Sequence, residues 1–351
     1  DDRYYVAFPS AVKRPDGELL VAFRRAPNRL NWGEERNNHV DPNSYLVMVR
    51  STDGETFTED PELIHANDWG GSQDPCLLQL RDGTLLCFSY GWSFVRPDGV
   101  PNLQQPVRDV YQGATFNGGF YVRSEDGGDT WQGPYHPPHI APEILRNPAG
   151  ELIPAYNRGA AVEGADGRIF WVVASTNQLD PHHTSVHLLI SEDKGKSWDY
   201  ASVVAQDEEV LFNEVSIYET PEGDLVAFLR TAGMDGEAAI ARSTDGGKTF
   251  EPWEGMGWVG YPLHALRLPD DRVLLVYGYR SEPYGIRARV LNAECTDFAT
   301  APGMVLRDDG TTWDLGYPWS VMLDDERVLV TYYINVDGQV PHIAGTILAV
   351  D

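Results

Sequence analysis

Side chains that could move protons recur through this chain in six groups: Asp41, Asp74, Glu143, Glu214, His264, and the pair Asp314 and Tyr317. A positioned carboxylate can take or give a proton, and an imidazole does so near neutral pH. Several titratable groups gathered in one pocket point to catalysis more than to passive binding. The other histidines form no comparable group. His182 and His183 are adjacent, so on a strand they face opposite ways. No metal site and no cofactor is expected.

Groups so far apart in sequence need a scaffold that returns them to one place. Six times a turn is followed by an aliphatic run: Asp16-Gly17-Glu18-Leu19-Leu20, Asp82-Gly83-Thr84-Leu85-Leu86, Ala149-Gly150-Glu151-Leu152-Ile153, Glu222-Gly223-Asp224-Leu225-Val226, Asp270-Asp271-Arg272-Val273-Leu274 and Asp324-Asp325-Glu326-Arg327-Val328-Leu329. Asp-Gly between apolar runs predicts a hairpin with a tight two-residue turn. A unit repeated six times cannot bury its apolar face alone and must stack on its neighbours. The expected fold is all-β, a closed six-bladed β-propeller formed by residues 1–351 as a single domain. Too few residues follow the sixth hairpin for another blade. The strand His342–Leu348 is therefore expected to complete a blade begun near the N-terminus. In such a ring the six polar groups line one central funnel.

A second repeat interleaves with the first. Ser124-Glu125-Asp126-Gly127-Gly128-Asp129-Thr130-Trp131, Ser191-Glu192-Asp193-Lys194-Gly195-Lys196-Ser197-Trp198 and Ser243-Thr244-Asp245-Gly246-Gly247-Lys248-Thr249-Phe250 are three copies. Ser51 to Phe57 is one residue short, and Leu291 to Phe298 is an eroded fifth. The Asp can accept backbone N–H groups, the Gly supplies positive φ, and the ring tucks beneath. Too few oxygen ligands are present for a Ca²⁺ loop. The copies read as folding staples.

The Ser-x-Asp-x-Gly-x-Thr-Trp motif resembles the Asp box of sialidases, and with the six hairpins the resemblance covers essentially the whole chain. The runs Tyr277–Leu291 and Leu306–Ser320 are similar to bacterial BNR-repeat proteins labelled exo-α-sialidase. The resemblance implies a glycan substrate, three arginines gripping its carboxylate, a Tyr nucleophile activated by Glu, and an Asp acid/base. Phe212-Asn213-Glu214 resembles the segment of the family Glu, with Arg230 as a carboxylate ligand and Arg280 or Arg287 in the third-arginine region. Tyr317-Pro318-Trp319-Ser320 resembles the nucleophile segment, with Trp319 in the family register and Tyr317 two residues earlier. His39-Val40-Asp41-Pro42-Asn43 stands for the acid/base loop. Ala7-Phe8-Pro9 stands where the family has Arg-Ile-Pro, so the first arginine is absent. Ordinary sialidase activity is accordingly expected to be weak.

The expected activity is an exo-acting glycoside hydrolase for a terminal acidic or deoxy sugar. Asp41 and Glu214 could serve as an acid/base pair, which in an inverting enzyme stands about 6.5–9.5 Å apart. Asp74 and Asp314 are expected to bind substrate, and Trp92 and Trp319 to stack on sugar rings. One alternative is a polysaccharide lyase, with His264, Tyr317 and Arg287 acting on a uronate. Another is a non-catalytic carbohydrate-binding propeller.

A net charge of −26 repels nucleic acid and anionic membranes, and no run approaches membrane-spanning length. Cys76, Cys87 and Cys295 give no disulfide framework and are expected as buried free thiols. If Arg81 faces Thr84, Cys76 pairs with Ser89 across the hairpin. The chain begins at Asp1 without Met, which fits a removed export signal. A secreted or periplasmic location is expected, with the cytoplasm left open.

Overall fold

The computed structural model describes residues 2–110, 113–338 and 340–350. Among the described residues the strands form six antiparallel sheets; five run outward in chain order as meanders, and in the remaining one Asp109–Val110 and Gln132–Tyr135 both pair with the third strand, Ala114–Ser124. Blade 1 starts with the inner strand Tyr4–Lys13, and blade 2 with Gly70–Gln79. Blade 3 has a short inner strand, Val162–Glu163, extended by a bridge from Tyr156 to Ala174. Blades 4, 5 and 6 start with Leu211–Glu219, Leu263–Arg267 and Gly316–Met322. The fold is a six-bladed β-propeller.

The hairpins differ from the expected two-residue turns. Arg14 N–H donates to Glu18 O, and Gly17 N–H donates back to Arg14 O; the same bonds link Leu80 with Thr84 and Thr220 with Asp224. Each loop therefore holds three residues, with a left-handed glycine at its end: Gly17, Gly83 or Gly223. The extra residue moves the blade 2 register by one. Cys76 pairs with Phe88, and Cys87 with Leu77. All three cysteines are free and buried.

One expected hairpin belongs elsewhere. Residues 147–151 do close the same three-residue loop, Asn147 N–H donating to Glu151 O and Gly150 N–H to Asn147 O, but they lie outside the six sheets and carry an isolated bridge, Arg146 to Leu152. The blade 3 hairpin is Asp166-Gly167-Arg168-Ile169, closed by Gly164 N–H donating to Arg168 O. Its inner arm is nearly strandless, so the sequence there lacked the alternation that flags a strand.

Ring closure also departs from expectation. Among the described residues His342–Ala349 pairs with Arg327–Ile334 inside blade 6, and the N-terminal strand pairs with Leu19–Pro27. Blade 6 thus has three strands, and blades 6 and 1 meet by side-chain packing. Tyr5, Ala7, Phe8, Tyr317 and Tyr333 form one cluster at that seam.

The Asp boxes sit in turns between outer strands. Asp126 accepts Ser124 Oγ (2.7 Å) and Thr130 N (2.9 Å), and Gly128 N donates to Ser124 Oγ (2.8 Å). The Trp198 ring of another box packs between blades against Trp171 and Phe88. Backbone and hydroxyl donors hold Asp53, Asp126 and Asp245 down to about 2. Carboxylates with depressed values stabilise the fold above their unfolded range and lose that contribution as pH falls through the folded value. Thermal stability should therefore fall between about pH 4 and pH 2. At neutral pH, Asp193→Ala removes an acceptor from the N–H groups of Lys196 and Ser197. It should lower Tm by about 2–4 °C and leave turnover unchanged; lost activity at an unchanged Tm would contradict a purely structural box.

Candidate active site

The inner strands share one irregularity that aims their chemistry at the axis. In blade 1, Ala7 pairs with Arg24 and Ser10 with Ala22, so Phe8 and Pro9 together oppose Phe23. The same two-against-one bulge places Asp74-Pro75 opposite Ser89, Asn213-Glu214 opposite Arg230, and Tyr317-Pro318 opposite Tyr332. A bulge turns a side chain out of the pleat, and proline tolerates it because it has no N–H to lose. Phe8, Asp74 and Tyr317 take positive φ values of 59°, 30° and 49°. Non-glycine residues in that region carry strain and cluster at functional sites.

Two bulges meet at the centre. Tyr317 Oη donates to Glu214 Oε1 at 2.5 Å, and Arg230 Nη1 donates to Glu214 Oε2 at 2.6 Å. Arg230 Nη1 also lies 3.1 Å from Tyr317 Oη. Burial alone would raise the Glu214 carboxyl, but Arg230, the Tyr317 hydroxyl and Arg280 outweigh it and hold the group below its ordinary value. Burial and the Glu214 charge push the Tyr317 phenol well up. At neutral pH the pair is a carboxylate bound to a neutral phenol, poised to pass its proton to Glu214.

Further cations surround this pair. The guanidiniums of Arg280 and Arg158 each lie 5.2 Å from the Tyr317 ring centre. Arg158 is buried, donating to Pro9 O and Cys76 Sγ, both at 3.0 Å. Arg24 is fully buried, with Nε and Nη1 unpaired. It stands directly opposite Ala7, on the same face of the sheet. Asp314 accepts Tyr333 Oη (2.7 Å), Tyr5 Oη (3.0 Å) and His39 Nε2 (3.1 Å). Burial opposes its charge, yet His39 and the two phenols hold it at about 2. Asp74 accepts Tyr90 Oη at 2.7 Å and leaves Oδ1 unpaired; burial pushes it up to about 6.

The BNR repeat-like domain model matches residues 71–330. The chain belongs to that family. This BNR propeller is 63% identical to a protein of unknown function from Dyadobacter fermentans, whose crystal structure covers 100% of this chain and 96% of its own, with a TM-score of 0.98. A Hadza microbial sialidase superposes with a TM-score of 0.67 at 18% identity, over 98% of this chain and 66% of its own. The K499G mutant of NanB sialidase from Streptococcus pneumoniae does so with a TM-score of 0.67 at 13% identity, over 98% and 68%. At these identities the sialidases establish a shared fold. No protein of curated function matches the sequence.

The BNR propeller brings Glu214, Tyr317, Arg230 and Arg280 together and places Asp314 beside His39. Other expected residues lie elsewhere. Both oxygens of Asp41 are bound by Arg29 at 2.7 and 2.8 Å, and Asn43 N adds a third bond. His264 lies beneath Trp319, stacked at 4.3 Å and bonded to Ser320 Oγ; burial and Arg158 bring it down to about 3. Arg287 turns to the backbone carbonyls of Ile286 and Pro283. The lyase trio of His264, Tyr317 and Arg287 is therefore not assembled. Trp92 and Trp319 are buried, with faces covered by Phe116 and His264, so neither offers a platform for a sugar. The exposed indoles are Trp32, Trp69 and Trp313. Glu143 caps the backbone N–H groups of Leu145 and Thr176.

Sequence reasoning missed Arg24, Arg158 and His39. For Arg158 a signal existed. Phe8, Asp74, Glu214 and Tyr317 each stand eight residues before Asp16, Asp82, Glu222 and Asp325 of their hairpins, and Arg158 stands eight before Asp166. Misplacing the third hairpin hid it. Arg158→Ala should leave Pro9 O unpaired and buried carboxylates uncompensated, costing about 3–5 kcal/mol. A chemical melt with a midpoint like that of the parent would show that this cation is dispensable.

Proposed function

We propose that this BNR propeller is an exo-acting retaining glycoside hydrolase for a terminal sugar that carries a carboxylate at its anomeric carbon. The observation that carries this reading is Glu214 held simultaneously by Tyr317 and Arg230. A carboxylate nucleophile would be repelled by such a substrate. A neutral phenol is not, and its proton has an acceptor 2.5 Å away. In the first step the Tyr317 oxygen bonds to the anomeric carbon, its proton passes to Glu214, and the bond to the leaving oxygen breaks. Water then attacks the same carbon, Tyr317 departs, and Glu214 returns the proton. Arg230 and Arg280 bind the substrate carboxylate. Arg24, opposite Ala7 and fully enclosed, adds a third positive charge behind them from the neighbouring strand. The sialidases that share the fold lend the reading support by analogy.

The test is a panel of aryl glycosides of acidic sugars, with a fluorinated analogue to trap the covalent intermediate. Label should appear on Tyr317 and be absent in Tyr317→Phe. Glu214→Gln should lose at least about a hundredfold in kcat with its fold intact, the usual scale of general acid–base assistance. Near-normal turnover by Glu214→Gln would remove this mechanism. Sugar binding without turnover by the parent protein would favour a non-catalytic carbohydrate-binding propeller.

A further inference from the structure

Tyr317 and Glu214 account for the nucleophile and leave the departing oxygen without a proton donor. Asp41, the residue expected there, has both oxygens committed to Arg29 and Asn43. Asp74 is 1% exposed, too enclosed to meet a leaving group. His39 differs from both. It lies in the same loop as Asp41 and is partly open, its side chain 29% exposed. Its Nε2 lies 3.1 Å from Asp314, and among the described residues no hydrogen bond engages Nδ1.

We infer that His39, oriented by Asp314, is the group that protonates the leaving oxygen and then deprotonates the attacking water. The inference rests on the retaining-hydrolase reading above.

The placement follows from the packing. The Phe8 ring neighbours both His39, with centroids 5.3 Å apart, and Tyr317, at 4.7 Å. Both groups therefore border one bulge at the head of blade 1. Trp313 stacks on His39, its plane within 7° of the imidazole. The loop has little freedom. Arg24 Nη2 reaches Asn38 O, Asn37 bonds Asn28 and the Arg29 backbone N–H, and Asp41 is clamped by Arg29. Asp41 in this scheme holds His39 in place. The charged or titratable groups facing His39 are Asp314, Tyr5, Tyr333 and Asp74, with Arg24 behind the loop and Arg280 beyond Trp313.

The proton balance closes. In the first half-reaction the imidazolium gives the proton on Nδ1 to the departing oxygen as its bond to the anomeric carbon breaks. In the second, neutral His39 takes a proton from water as the oxygen of that water bonds to the same carbon. Asp314 stays ionised throughout and keeps Nε2 protonated.

The experiment compares two acidic glycosides on the parent protein, His39→Asn, Asp314→Asn and Asp41→Asn. One carries a 4-nitrophenyl leaving group, which departs without protonation, and the other an alkyl leaving group, which needs it. His39→Asn should lose about 10²–10⁴-fold in kcat/KM on the alkyl glycoside and only a few-fold on the nitrophenyl one. Azide should restore turnover of the nitrophenyl substrate by replacing the water that His39 no longer activates. Asp314→Asn should give the same asymmetry at smaller size. Asp41→Asn should lower both substrates alike. Equal loss on both substrates in His39→Asn, or no loss, would overturn the assignment. So would the asymmetry appearing in Asp41→Asn instead. A parent protein inactive on both glycosides would remove the hydrolase reading itself, an outcome separate from any ranking among variants.

Discussion

One buried guanidinium holds the centre of the ring together. Arg158 comes from blade 3, donates to Pro9 of blade 1 and Cys76 of blade 2, and lies over the Tyr317 and Trp319 rings of blade 6. Inside a protein such a charge is costly unless its donors and counter-charges are supplied. Here Asp74, on the same strand as Cys76, and Glu214, on the inner strand of blade 4, act on it. The arginine fixes where four blades converge, and it sets the field felt by the Tyr317–Glu214 pair. Moving any one blade outward would strand it.

That central lock compensates for a weak seam. Among the described residues blade 6 has three strands, and no strand of blade 1 joins its sheet. The ring is shut by aromatic packing, with Phe8 edge-on to Tyr317 at 4.7 Å and to Tyr333 at 5.2 Å. Edge-to-face pairs add about 0.5–1.5 kcal/mol beyond their buried area. The residues that close the ring are thus neighbours of those that would do chemistry. Phe8 occupies a bulge position where other blades place Asp74, Glu214 and Tyr317. One blade spends its functional position on structure.

The fold was legible because it repeats. Six turns and four boxes at regular spacing left few architectures, and a misplaced third hairpin did not alter the answer. The site was legible where residues precede a hairpin by a constant interval, as Glu214 and Tyr317 do. It was not legible where contact crosses strands or depends on loops. Arg24 is found only by knowing that it opposes Ala7. His39 becomes distinct from Asp41 only when the loop is folded and Arg29 has claimed one of them. Trp92 and Trp319 illustrate the same limit, because composition cannot tell a ring that lines a funnel from one that fills the wall behind it.

Charge at the centre runs against the charge of the whole. The chain carries a net −26, yet Arg24, Arg158, Arg230 and Arg280 converge on the axis. Facing them are Glu214, Asp314 and Asp74, while Asp41 is neutralised by Arg29. Four cations meet three anions, one of which is pushed up to about 6. The local balance is positive and has room for one more negative charge. A neutral sugar would leave that excess unbalanced, whereas a carboxylate would cancel it. The strongly acidic exterior would slow an anionic ligand at long range, but that repulsion fades within about 8–10 Å at physiological salt. On the proposed reading, recognition is then left to short-range guanidinium–carboxylate contacts at the centre of the ring.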